Sequence, residues 1–332
     1  MLTTTSSGSS QQTKPRFQLF TLIQTWFAIN PLLTLTGLAN IVVLVAALIG
    51  IFVDPRIITG VPAWIKPAKF AISITFYNFT LLWIMSFIKG HTRLVGVAAY
   101  TIAAALVVEM VIIVGQVIRG TTSHFNVSTP LDSMLWSIMG GFVMLLFVMY
   151  LIIAIVVLFQ RFPDPTLAWS LRLGVLIALV GMGLGYLMVL PTTLQMTMIH
   201  AGVTAKSIGA HTVGLADGGP GIPFLGWSTV AGDLRISHFF GLHALQVLPL
   251  VGWLIARFSA TWLRTGHRVA LILTFGASYL GLVGLLTWQA LRAQSIIAPD
   301  TLTLQAFAFL LSATALVVIF IVMQARMSIK QA

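Results

Sequence analysis

The sequence predicts an all-α fold, a polytopic membrane helix bundle of about eight transmembrane helices with a long outer loop between helices five and six. Three observations point there. Of 332 residues, 58% are hydrophobic and only 8% charged, whereas a soluble domain carries about 25% charged residues. The mean hydropathy is +1.01. Apolar runs of about 20 residues, enough to cross about 30 Å of hydrocarbon, recur along the whole chain.

The elements follow in order. Residues 1–16 begin MLTTTSSGSSQQT, polar and low in complexity, and are expected to form a disordered cytoplasmic tail. No short apolar run with a cleavage site follows, so no signal peptide is expected. A single transmembrane domain then covers 17–332. Its aromatic-rich start, Phe17 to Ala28, reads as an interfacial helix or a lead-in to the first span. The spans are expected at 32–53, 70–88, 94–118, 134–159, 167–190, 238–255, 269–291 and 304–323. The fifth is expected to continue past Pro191 to about His200, with a kink where proline removes a backbone donor. Residues 191–232 are rich in Gly, Thr and Pro and nearly uncharged; they are expected to form an ordered outer cap, partly re-entrant.

With eight spans both termini share one side. Eleven of the 18 basic residues fall on that side and seven opposite, and five of the seven acidic residues fall opposite. The positive-inside rule therefore places the termini in the cytoplasm. The net charge of +11 is spread in ones and twos between apolar runs. It forms no basic stripe with interleaved aromatics, so the expected partner is the lipid bilayer and not nucleic acid. Cysteine is absent, which excludes disulfides and thiolate metal sites.

Polar residues collect toward the outer side. His124, His200, His211, His238 and His243 fall there, against His91 and His267 in cytoplasmic loops. Glu109 lies several turns inside the third span, where an ionisable group costs about 2.5–3.5 kcal/mol to insert and marks a paired or functional position. Gln116 returns to within about 20° of the same helix face, and Arg119 follows a turn later. The sixth span opens GDLRISHFFGLHALQVLPL and brings Asp233, Arg235, His238, His243 and Gln246. His238 and His243 are about 140° apart on a regular helix, so they do not make a two-ligand face by themselves. Lys66 and Lys69 open the second span; Lys69 is expected either to snorkel or to turn inward and neutralise Glu109 or an anionic ligand. Ser128 or Asp132 is expected to cap the fourth span. A common cavity, walled by spans two, three and six and roofed by the cap, is expected to hold these groups. RGTTSHF at 119–125 and RISHFF at 235–240 share an Arg, a Ser-His pair and a Phe, which suggests convergent roles at the outer face without duplication.

Four blocks together, IKPAKFAIS at 65–73, EMVIIVGQVIRGTTSHFN at 109–126, STPLD at 128–132 and GDLRISHFFGLHALQVLPL at 232–250, resemble an uncharacterised family of bacterial multi-pass membrane proteins. The resemblance spans most of the chain and implies location in the bacterial inner membrane; no activity comes with it.

Two functions compete on these residues. The first is a metal- or haem-dependent membrane enzyme or redox protein. It would use Glu109, His238, His243 and Arg119 as catalytic groups, with His124, His211, His238 and His243 as metal ligands, since imidazole suits Zn, Cu and Fe. Lys69, Gln116, Arg235, Gln246 and Asp233 would contact substrate or relay protons. The alternative is a proton-coupled transporter or sensor in which Glu109 titrates with Lys69 or His243. A structural or assembly subunit is the third possibility.

Overall fold

The computed structural model describes residues 19–258 and 262–330; the expected tail at 1–16 lies outside them. Among the described residues eight helices are long and apolar enough to cross a membrane, and the protein is an all-α, multi-pass membrane helix bundle. A short helix α1 (Leu19–Ile29) precedes them and packs on α2 (Pro31–Val53), while its Trp26 ring meets Phe79 of the helix that follows α2. Then follow α3 (Ile65–Met85), α4 (Thr92–Ile118), α5 (Pro130–Phe159), α6 (Pro165–Gly185), a short α7 (Thr193–His200), α8 (Leu234–Phe258), α9 (Thr265–Leu291) and α10 (Thr301–Lys330).

Three spans start a few residues before their apolar runs because capping residues lie there. Asn30, Thr129 and Asp164 each precede a proline at the first helical position and accept a hydrogen bond from a backbone N–H of the first turn. Thr129, not Ser128 or Asp132, is thus the cap of α5. The stretch Pro165–His200 is not one kinked helix. α6 stops at Gly185, a single 3₁₀ turn covers Tyr186–Met188, and α7 begins anew after Pro191 behind a capping box of Thr192 and Gln195.

The cap is ordered. Its strand β3 (Thr212–Val213) pairs with β4 (Gly232–Asp233), joining the cap directly to the start of α8. Asn126 pairs with Ser207, and Val127 N–H donates to Lys206 O, so the α4–α5 loop is sewn to the cap as well. A hairpin of β1 (Ile57–Ile58) and β2 (Val61–Pro62) was not legible as strand. Its two-residue turn, Thr59-Gly60, has positive φ at both positions, the form that matches strand twist.

The bundle consists of two halves with the same order of packing. In the first, α2 packs on α3 and α4, α3 on α4, and α4 on α5. In the second, α6 packs on α8 and α9, α8 on α9, and α9 on α10. The third helices, α4 and α9, have 27 residues each, and the fourth, α5 and α10, have 30 each. Their junctions share a backbone closure and an Arg–Asp pair. Gln116-x-x-Arg119-Gly120 and Gln289-x-x-Arg292-Ala293 each end a helix with a left-handed residue. In each, the N–H five residues beyond the glutamine (Thr121, Gln294) closes on the glutamine carbonyl. Arg119 then pairs with Asp132 at the start of α5, and Arg292 with Asp300 just before α10. The RGTTSHF and RISHFF segments are not equivalent in this scheme: one is a loop after α4 and the other lies inside α8.

The two halves meet where α5 packs on α6 and where one apolar core gathers Leu81 and Leu82 of α3, Ile102 of α4, Tyr150 of α5, Leu171 of α6 and Leu245 of α8. The tightest helix pair is α6 with α8. Small residues make it possible: Gly181 and Gly241 touch backbone to backbone, and Gly174 and Gly252 meet Ala244 and Ser170. α10 packs on α9, with Thr314 donating to Ser278 at 2.8 Å, and turns the rest of its apolar surface outward.

Candidate functional site

Glu109 is buried, 6% exposed, on the inner side of α4. Its partner is His124 of the following loop: Nε2 lies 3.3 Å from Oε1. Oε2 has no hydrogen-bond partner among the described residues. The His124 Nδ1 faces the Ser123 hydroxyl at 3.1 Å. Phe70, Phe125 and Trp136 enclose the imidazole, with ring centroids 5.5, 6.1 and 5.5 Å away. Burial, helped by the positive charge of Lys66, outweighs the Glu109 hydrogen bond and holds the His124 pKa below the ordinary histidine value. At neutral pH the imidazole is therefore neutral, with its Nε2–H donated to the carboxylate and its Nδ1 accepting from Ser123.

The lysine whose charge reaches Glu109 is Lys66, not Lys69. Lys66 has no hydrogen bond or ion pair among the described residues; its Nζ stands 6.0 Å from the Phe70 ring centroid. Lys69 instead donates to the carbonyl of Leu225 in the cap at 2.8 Å.

Gln116 and Arg119 do not extend the Glu109 site. Gln116 donates to Asp132 Oδ1 at 2.9 Å, and Arg119 bonds the Gln116 side chain and pairs with Asp132 at 2.7 Å. Thr129 donates to the other Asp132 oxygen. Arg292 builds the same kind of clamp with Asp300 and Thr303 in the second half. These residues fasten a helix end to the next helix start, a role that repeats with the fold.

At the start of α8, Asp233 is fully buried and takes a two-pronged contact from Arg235, Nε to Oδ1 at 2.9 Å and Nη2 to Oδ2 at 2.6 Å. Ser228 N–H also donates to Asp233. Arg235 Nη2 reaches on to Gly226 O at 2.5 Å. The cap turn at 225–226 is thus pinned by two cations, one from α3 and one from α8.

His211 bonds Asp217 within the cap, Nδ1 to Oδ2 at 2.6 Å, while Thr212 and two backbone N–H groups complete the carboxylate's shell. Burial alone would raise Asp217, but the donors from His211 and Thr212 overcome it and keep the carboxyl well below the usual range. Burial, with the charges of Arg235 and Lys66, depresses His211 from 6.5 to about 4. The folded state therefore binds this proton less readily than the unfolded chain does. Stability from this group is complete above pH 6.5 and is lost as pH falls from there to about 4. The expected loss is on the order of 2–3 kcal/mol. Thermal unfolding in detergent across that range should show it, and His211→Gln should flatten the dependence; an unchanged slope in that variant would reject the assignment.

His238 donates Nδ1–H to the carbonyl of Gly181 at 2.7 Å, because a carbonyl can only accept. It locks α8 to α6 near the end of α6. His243 lies against Phe239, ring centroids 4.2 Å apart, and Gln246 donates to Thr80 of α3 at 3.3 Å. The sequence motif Asn126-Val127-Ser128 is not a free acceptor for glycosylation: Asn126 is buried and its amide donates to Thr121 and Thr122.

The expected ligand set of His124, His211, His238 and His243 is not assembled. Each imidazole is held elsewhere, by Glu109, Asp217, Gly181 and Phe239 in turn. Among the described residues no group of three or more His, Asp or Glu side chains could hold a metal ion. A cavity of about 450 Å³, lined by Phe87, Lys89, Arg161 and Phe162, lies at the opposite end of the bundle from these histidines. The groups expected around one roofed cavity form three hydrogen-bonded centres, Glu109 with His124, Lys69 with Arg235 under the cap turn, and His211 with Asp217, and the charge of Lys66 reaches Glu109, His124 and His211. Two of the three contain a partner that sequence reasoning missed. Asp217 lies six residues from His211 in a turn-rich segment whose course has no periodicity to read, and the acceptors for Lys69 and Arg235 are backbone carbonyls, which carry no side-chain signal. No family model, no curated protein and no solved structure matches this chain.

Proposed function

We propose that the protein is a proton-coupled transporter or sensor of the bacterial plasma membrane, with both termini cytoplasmic and Glu109–His124 as its titrating unit. One observation carries this reading: a carboxylate buried within a span is paired to an imidazole from the cap-end loop and keeps one oxygen without a partner. A proton arriving from the cap end has two resting places. It can bind His124 Nδ1, with the Ser123 hydroxyl turning round, or Glu109 Oε2, whose lone pairs are free. The charged and titratable groups around the unit are Lys66 from α3, Glu109 from α4 and His238 from α8, which lies within electrostatic reach of His124. Trp136 of α5 completes the wall. A metal- or haem-dependent enzyme has less support, because the candidate ligands are dispersed among other partners.

Trp136 provides the test. Protonated imidazole quenches indole, so the fluorescence lost in Trp136→Phe should titrate with His124 in acid. In Glu109→Gln the midpoint should move to still lower pH, since the carboxylate's hydrogen bond and charge both favour the protonated imidazole. In His124→Gln the transition should vanish. A Trp136 signal that titrates unchanged in both variants removes the proposal.

A further inference from the structure

α3 and α8 occupy the same place in the two halves, each following the first span of its half. Both start at the cap end and run parallel across the seam. They are not a closely packed pair; they meet through side chains. Thr80 of α3 bonds Gln246 of α8, and three turns nearer the cap Lys69 and Arg235 converge on one turn. A Cβ placed on Gly226 would lie 3.5 Å from Lys69 Nζ and 3.9 Å from Arg235 Nη1. Arg235 is neutralised by Asp233, but its Nη1 makes no hydrogen bond; Lys69 is not neutralised, and Lys66 lies a turn away with no partner among the described residues.

Below these donors the seam turns apolar and opens sideways. Phe76 of α3 is 59% exposed, and Leu250 and Trp253 of α8 are 56% and 53% exposed. Lys69, Phe76 and Thr80 recur on one face of α3, and Arg235, Gln246, Leu250 and Trp253 on one stripe of α8, so the cations and the exposed apolar side chains share a single line down each helix. The cap covers the donors from above through the carbonyls of Leu225 and Gly226, and the exposed apolar side chains lie on the bilayer side of the bundle below them.

We infer that the α3–α8 seam is a binding groove for an anionic lipid. Its head group meets the free donors of Lys69 and Arg235 and the charge of Lys66 beneath the cap turn, and its acyl chain lies along Phe76, Leu250 and Trp253. The inference uses different residues from the Glu109–His124 unit and stands apart from it. A small soluble anion would satisfy the donors but has no use for the apolar stripe, and neutral lipid would satisfy the stripe but bring no net charge to two lysines that lack a direct ion pair among the described residues.

The test uses the full protein in nanodiscs of neutral phosphatidylcholine doped with a phosphatidylglycerol that carries a photoreactive acyl chain. Crosslinks mapped by mass spectrometry should concentrate in residues 73–80 and 239–253. Unlabelled phosphatidylglycerol should reduce them at least fivefold, and millimolar inorganic phosphate should not. Lys69→Gln should lower seam labelling several-fold while labelling of α10 stays constant. Arg235 is left intact because Asp233 depends on it. Labelling spread over all lipid-facing helices, or seam labelling indifferent to Lys69→Gln, overturns the inference. Competition by inorganic phosphate equal to that by the lipid overturns the choice of lipid as occupant.

Discussion

Arg235→Met is expected to lower stability by about 3–5 kcal/mol, the usual loss when one partner of a buried ion pair is removed. Asp233 has no exposed surface, and two of its four hydrogen bonds come from the Arg235 side chain. Without them a carboxylate stays in the interior, held by the N–H groups of Ser228 and Arg235. The same change frees the Gly226 carbonyl and removes one of the contacts between the cap and α8. The double variant Asp233→Asn, Arg235→Met should recover part of the loss, because an amide carries no charge, while its single oxygen keeps only one of the two backbone N–H contacts. Thermal unfolding of the three proteins in one detergent measures this. Equal destabilisation in single and double variants would show that packing of the arginine stem, and not the stranded charge, is the cause.

The second large effect belongs to the glycine crossing of α6 and α8. A methyl group on Gly181 would fall on the backbone of Gly241, and one on Gly241 would fall on Gly181. Backbone cannot move aside as a side-chain tip can, so Gly181→Ala should cost about 3 kcal/mol, at the top of the range for overpacking. It should also lengthen the His238 bond to the Gly181 carbonyl. Gly183 lies two residues on in the same helix with nothing within 4 Å of a built Cβ. Gly183→Ala should therefore stabilise by about 0.5–1 kcal/mol through lost unfolded-state freedom. The sign difference between two identical substitutions is the readout; matched effects would mean that the helices do not cross at Gly181.

Much of the fold was open to a reader of the chain. Span number follows from hydropathy, which sums over neighbours in sequence and needs no partner. The start of helices at Pro31, Pro130 and Pro165 follows from caps that sit beside them. The ordered cap follows from few charges in a long segment. The match between the two helix ends was also present, as Gln-x-x-Arg followed by a small residue at 116–120 and 289–293. It was hidden because the Ser-His-Phe similarity drew the comparison to a loop and a helix that do not correspond.

The polar centres were only half legible. Glu109, His124, Lys69, Asp233 and Arg235 stand out because ionisable groups are costly within or beside lipid, and that cost is a property of each residue alone. Which group meets which is not. His124 reaches Glu109 across fifteen residues, while Gln116, seven residues along the same helix face, turns to Asp132. His238 and His243 share a helix yet one bonds α6 and the other stacks on Phe239. Periodicity states the angle between two side chains on one helix; the height and rotation of the neighbouring helix decide the partner, and glycine contacts such as Gly181 with Gly241 set both. The chain alone determined that this is an eight-span membrane bundle with most of its histidines and acidic residues toward one end. Tertiary packing decided that they form separate pairs and not one metal centre, because the reach of a hydrogen bond, about 3 Å, is far shorter than the spacing of helix axes, about 8–10 Å.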